Sequence, residues 1–278
     1  MDALTTAVLK DVTLLVWLAL LAGAAAYKIL RQLRPAACWN WGGRVNARVY
    51  VAADAVVVAA LSLLLLGGLR QAGGGASDEP ELSAPLVASG IFVQLLAAAL
   101  LLFYLGRIRG LHAAELFGVR RLSPLRAGAY ALLLMLPLLL VVNGVAWAVN
   151  AWMQSFWPDL EAQDAVRAFR DSGDTAARAA LVIAAVVVAP LVEELVFRGF
   201  IYGVIKRFTD AWFAALCSAL LFAVVHLHVG SLFPLAVLAL LLCAAYELSG
   251  SLLVPMLMHA LFNLTSLALL LLFPEAAT

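Results

Sequence analysis

Two adjacent carboxylates and one guanidinium, Glu193, Glu194 and Arg198, stand inside an otherwise apolar run, VVVAPLVEELVFRGFIYGVIKR, at residues 186–207. Ionisable groups are costly in a stretch able to cross a membrane. They face a protein interior or a watery cavity there, and their default reading is functional. Glu194 and Arg198 lie four residues apart and stack on one helical face, whereas Glu193 is turned about 100° away. The spacing therefore pairs Glu194 with Arg198 and leaves Glu193 free for a water or a substrate. Pro190, just upstream, removes a backbone hydrogen bond and loosens the helix beside the acids.

Two later motifs answer these acids. Phe222 and His226, and then His259 and Asn263, are each spaced by four residues, so each pair is expected on one face of a helix. Each helix could present one imidazole to a shared cavity, with an aromatic wall on one side and a carboxamide on the other. A carboxylate base, hydrogen-bond donors for a developing oxyanion and an orienting amide are the parts that hydrolysis of a carbonyl requires. No covalent nucleophile accompanies them. His228 lies on another face near the outer boundary, and His112 falls in a basic loop. Asp54, Gln94, Asn143 and Glu247 read as packing or boundary polars.

The elements that must position these groups are membrane helices. Of 278 residues, 65% are hydrophobic and 13% charged, more apolar surface than a soluble core can hide. Runs of about 18 or more apolar residues recur, each long enough to cross a bilayer core of about 30 Å. The sequence predicts an all-α polytopic bundle of about eight spans, at roughly 12–30, 49–69, 86–105, 127–149, 176–207, 211–229, 234–248 and 252–273. Basic residues gather after the first span (Arg31, Arg34, Arg44, Arg48), after the third (Arg107, Arg109, Arg120, Arg121, Arg126) and after the fifth (Lys206, Arg207). The positive-inside rule makes those loops cytoplasmic and puts both chain ends outside. The acidic loop GGGASDEPE follows as an external loop, and Trp152, Phe156 and Trp157 suit an interfacial belt. The first span reads as a retained helix rather than a cleaved signal. The whole chain, 1–278, is expected to be one integral-membrane domain. The three cysteines, Cys38, Cys217 and Cys243, show no CxxC spacing, and the net charge of +1 argues against a nucleic-acid partner.

The depth of the site can be gauged from the helical rise. His259 is only nine residues past Gly250, too shallow to meet Glu193 and His226 unless its helix tilts or the turn at 247–250 is sunk. Entry to the cavity is expected laterally or from the cytoplasmic side, with Gly199 facing a water-filled cleft.

In order, Glu-Glu-x-x-x-Arg-Gly, Phe-x-x-x-His and His-x-x-x-Asn resemble the CPBP family of intramembrane proteases (CAAX protease and bacteriocin-processing, also called ABI), the family of the type II CAAX prenyl endopeptidase. The resemblance covers a catalytic core at 182–267, among the last helices. It implies a membrane endopeptidase in which Glu193 activates the attacking water, His226 assists, and His259 with Asn263 steadies the water or the oxyanion. Glu194, Arg198 and Phe222 support. The family has been described with zinc and without it. A zinc site would use Glu193, His226 and His259, but neither HExxH nor a tight three-ligand spacing occurs, so the metal-free glutamate mechanism with no cofactor is favoured. The implied partners are the lipid bilayer and a membrane-anchored peptide or protein substrate. The implied location is a bacterial inner (plasma) membrane, crossed many times. Two other classes fit parts of the pattern: a non-catalytic immunity or scaffold protein on the same fold, and a proton-coupled transporter, against which the lack of an internal repeat stands.

Overall fold

The computed structural model describes residues 43–72, 83–155, 173–226 and 228–272, together with 23, 27, 29 and 32. The expected first span at 12–30, the acidic loop at 73–81 and the pair Phe156 and Trp157 lie outside the described residues, apart from isolated positions in that span. Everything described is helix or short connection.

Helix α1 runs Ala52–Ala72; α2 runs Ala84–Phe103 and widens into a π turn at Tyr104–Ile108; α3 is the short Ala113–Leu116. Helix α4, Pro124–Gln154, is 31 residues long and stays continuous through Pro137. It starts where Ser123 accepts from Arg126 N–H and Pro124 occupies the first turn, where a proline costs nothing. Helix α5, Thr175–Phe208, is 34 residues long, and Asp174 caps it by accepting from the Ala176 and Ala177 amides. Helix α6, Ala211–Val224, has 14 residues and is capped by Asp210 in the same way. Helices α7, Leu232–Ser249, and α8, Leu253–Leu272, complete the set. Five described helices are long and apolar enough to cross a membrane: α2 with its π turn, α4, α5, α7 and α8. The segments Ala52–Leu65 and Ala211–Val224 are apolar but shorter. The sixth span was expected to reach 229, and the helix instead stops at Val224, where the chain turns back towards α7.

Packing is organised around α5 and α7. One buried cluster joins the second half of α5 to α6, the 43–50 segment and Phe117; the other joins α4, α7 and α8 through Met135, Leu138, Leu238, Leu242, Val254 and Met258. In lipid the hydrophobic effect does not drive helices together, so close approach of small residues matters instead. The buried face of α6 fits this, with Ala211, Ala214, Ala215, Ser218, Ala219 and Ala223. The opposite faces are greasy: Leu132, Leu133, Leu136 and Leu140 of α4 are all more than 60% exposed, a stripe suited to lipid.

At one end of the bundle the basic residues meet. Arg121 Nη1 donates to the Arg44 carbonyl, Lys206 to the Val45 carbonyl and to Glu247, and Arg207 Nε to the Tyr50 carbonyl. Burial pushes the Tyr50 phenol well above its usual range, and it remains a donor to the Gly199 carbonyl at 2.8 Å. The turn between α7 and α8 is buried in this knot. Ser249, Ser251 and Leu252 are nearly inaccessible, and Leu252 N–H donates to the Phe117 carbonyl. Gly250 closes α7 in the left-handed region at φ 69°. Gly118, at φ 63°, lets the 113–121 segment approach so closely that a Cβ there would fall 2.0 Å from the Gly250 carbonyl oxygen. Glu247, read from sequence as a boundary polar, is the centre of the knot: it accepts from Tyr202, Lys206 and the Val45 amide.

Candidate active site

The acids sit in a helix whose winding changes on both sides of them. Within α5, a π turn at Ala184–Val188 precedes the α turn Ala189–Glu194, and a second π stretch, Leu195–Tyr202, follows. Extra residues per turn rotate the side chains that come after them, and such bulges gather at functional sites. The first has a cause in the sequence. Ala189 N–H donates to the Ala184 carbonyl, so the next donor in that register would be residue 190, a proline with no N–H to give.

Glu194 and Arg198 pair as their spacing required. Arg198 Nη1 donates to Glu194 Oε1 at 2.8 Å, and neither side chain is accessible. The guanidinium carbon lies 4.4 Å from the centre of the Phe222 ring, so an aromatic face covers the cation. The same Glu194 oxygen lies 2.9 Å from His259 Nδ1. Against a carboxylate already facing a guanidinium, Nδ1 is the protonated nitrogen, which leaves Nε2 to face the other way.

It faces Glu193. Glu193 Oε2 is 3.9 Å from His259 Nε2 and 4.0 Å from His226 Nε2, and its side chain keeps a quarter of its surface exposed. His226 lies just past the end of α6, so the expected shared helical face is not what aligns it with Phe222. Its Nδ1 is 2.7 Å from the Phe222 carbonyl, and the two rings lie 4.6 Å apart. A carbonyl only accepts, so that nitrogen too carries the proton and Nε2 is turned to Glu193. Phe222 also meets His259 edge-on at 5.7 Å and Phe197 at 5.3 Å, forming the wall between the imidazoles and the bundle core.

Gaps of 3.9 and 4.0 Å are too long for direct hydrogen bonds. A water bonded to two groups at about 2.8 Å each, at a tetrahedral angle, holds them roughly 4.5 Å apart. A tetrahedral zinc with bonds of 2.0–2.1 Å would draw its ligand atoms to about 3.4 Å. The observed gaps lie midway between these two spacings, and among the described residues no group of three or more His, Cys, Asp and Glu is arranged to hold a metal ion.

Glu193, His226 and His259 line a cavity of about 340 Å³ together with Asn143, Ala185, Ser231, Phe262, Asn263, Ser266 and apolar side chains of α4, α5, α7 and α8. Asn263 is in the wall, and its Nδ2 donates to the Ala185 carbonyl at 2.8 Å. Asn143, a packing polar by sequence, is exposed on this wall, with Nδ2 bonded to the Leu139 carbonyl one turn back. Gly199 is not in the cleft expected for it. It is buried, and a Cβ there would meet Phe117 at 3.0 Å. Asp54 is a structural anchor, accepting from Arg109, Tyr104 and the Val51 amide.

The bundle and this centre define an integral membrane protein with a carboxylate and two imidazoles set among its apolar helices. Residues 175–265, which hold all seven of the motif side chains, match the family model described as "Type II CAAX prenyl endopeptidase Rce1-like". Over 83 residues the chain is 28% identical to "Putative membrane peptidase YdiL" of Bacillus subtilis (strain 168), a stretch that is 30% of this chain and 34% of that protein. The chain thus spans about a third of the length of the curated relative it matches. No solved structure matches it.

Proposed function

We propose that the chain is an intramembrane endopeptidase, one integral-membrane domain whose residues 182–267 form the catalytic core. The reading rests on one observation above all: Glu193 Oε2 faces the Nε2 atoms of two imidazoles across gaps of 3.9 and 4.0 Å, at the head of a cavity within the helices. The Rce1-like match over the same stretch supports it.

In this mechanism Glu193 takes a proton from the water as its oxygen bonds to the peptide carbonyl carbon. His226 helps hold the water. His259, held through its Nδ1–H by Glu194, donates from Nε2–H as the imidazolium to the carbonyl oxygen, where negative charge develops, and stabilisation of such charge is commonly the largest single contribution to catalysis. The proton on Glu193 then passes to the departing nitrogen as the C–N bond breaks, giving a carboxylic acid and an amine. Asn263, anchored on Ala185, shapes the wall beside the reacting bond. The substrate is a membrane-anchored peptide or protein, because an extended segment must reach acids that lie well inside the apolar spans.

Turnover of a peptide carrying an apolar anchor, compared between the protein and its Glu193→Gln variant, tests the assignment. A positioned general base contributes typically about 10²- to 10⁴-fold, so the variant is expected to lose activity on that scale while folding and inserting normally. Cleavage by the variant at a near-normal rate would overturn the role of Glu193. No cleavage by either protein would favour a scaffold or transport role for the same residues.

A further inference from the structure

The cavity extends in one direction only. Its lining takes Glu193, but nothing from Glu194 to Phe208; it takes His259, but nothing from the preceding turns of α8. From there it rises past Asn263 and Ser266 to Leu270 on α8, and past Ala185 to Leu181 on α5. Eleven residues separate His259 from Leu270, roughly 16 Å of helical rise. All of that rise leads away from Lys206 and Arg207 and from the buried turn at 249–252, which join the basic knot. Below the acids the bundle is closed by Arg198, Phe197, Phe200, Tyr202 and Phe222, none more than 3% exposed.

The short helix creates this shape. Helix α6 has 14 residues, roughly 21 Å of rise, where α4 has 31, roughly 46 Å. The chain therefore turns back at 225–231 while α4, α5 and α8 continue, and the shortfall leaves a depression with His226 and Ser231 on its floor. The basic end is cytoplasmic by the positive-inside rule.

We infer that the site is entered from the non-cytoplasmic side, and that it takes an extended, uncharged segment of a peptide anchored in that half of the bilayer. This differs from the lateral or cytoplasmic entry that the sequence led us to expect. The class of occupant follows from the walls, where Val142, Leu181, Leu235, Phe262 and Leu267 supply apolar contact and only Asn143, Ser231, Ser266 and Asn263 offer neutral polar groups along the rise. The statement about substrate rests on the endopeptidase reading; the statement about access does not.

Single cysteines at Ser266, exposed on the cavity wall, and at Asn46, exposed at the basic end, separate the two. Both are made with Cys38 replaced by serine, Cys217 and Cys243 being buried. Vesicles of known orientation are treated with a membrane-impermeant maleimide on one face. Treatment of the outer face is expected to abolish later labelling of Ser266→Cys and leave Asn46→Cys reactive, with the reverse on the inner face. Protection of both variants from the same face, or no reaction at Ser266→Cys from either, would overturn the access route. Two single-span reporters, with the extended segment on the outer or the inner side, then test the substrate. Cleavage of the outer reporter alone is expected. Cleavage of the inner one overturns the inference and keeps the endopeptidase reading, while cleavage of neither, with Ser266→Cys labelled from outside, overturns the endopeptidase reading and keeps the route.

Discussion

Asn263 Nδ2 lies 2.8 Å from the Ala185 carbonyl oxygen, the acceptor that Pro190 leaves without a backbone donor. A side chain from the last helix thereby completes the hydrogen-bond ladder of the helix that carries the acids. The π turn and the carboxamide are two parts of one device that sets the rotation of Glu193.

Asn263→Ala should lower stability by about 1 kcal/mol through the lost hydrogen bond, and lower turnover because α5 is released. The same change on a Pro190→Ala background should cost less, since residue 190 then supplies its own N–H. Thermal unfolding of the four proteins in detergent reads the coupling, and strict additivity of the two changes would show that the residues act separately.

Removing one member of a buried ion pair leaves an uncompensated charge, at a cost of about 3–5 kcal/mol. Arg198→Ala should therefore unfold the protein far more readily than Glu193→Gln, which changes a partly exposed acid. Glu194→Gln should also disturb His259, so any folded fraction should show reduced turnover. Comparable melting temperatures for Arg198→Ala and Glu193→Gln would contradict this ranking.

Purified protein should keep its activity after exhaustive chelation, because its candidate groups are two histidines and one glutamate from three separate segments, with Asn263 rather than a fourth strong ligand beside them. Zinc bound one to one, lost and restored together with activity, would refute it.

Gly118→Ala should destabilise the protein, since its φ of 63° disfavours a side chain and the new methyl would collide with the Gly250 carbonyl. The collision pushes on the turn that sets the height of α8, so turnover should fall more than for an alanine at Gly110, which has a similar φ but open space around it. Equal effects at the two glycines would show that the buried turn does not set the height of α8.

Much of the site could be read from residue spacing because its central pairing is local. Glu194 and Arg198 meet within one helix, and the arithmetic of a helical turn suffices for that. His259 on Glu194, Asn263 on Ala185 and the encirclement of Glu247 join segments 41 to 202 residues apart, and no periodicity reports such contacts. The early end of α6 was also hidden, since residues 223–229 remain apolar enough to continue a span. The non-cytoplasmic entrance inferred above depends on that stop, since a full-length sixth helix would fill the space beside His226 and Ser231. Gly199 was misjudged for a related reason, because the second π stretch turns it towards Phe117.

The packing beneath Glu193 has an energetic meaning for the cell. A polar funnel that ran through the bundle would let hydronium follow a water file from one compartment to the other, and the membrane's electrochemical gradient would drain through it. Arg198, closed over by Phe222 and flanked by Phe197 and Phe200, stops that file at the acids. On the proposed reading, water would reach the reacting bond and go no further, so hydrolysis inside the bilayer would proceed without discharging the potential across it.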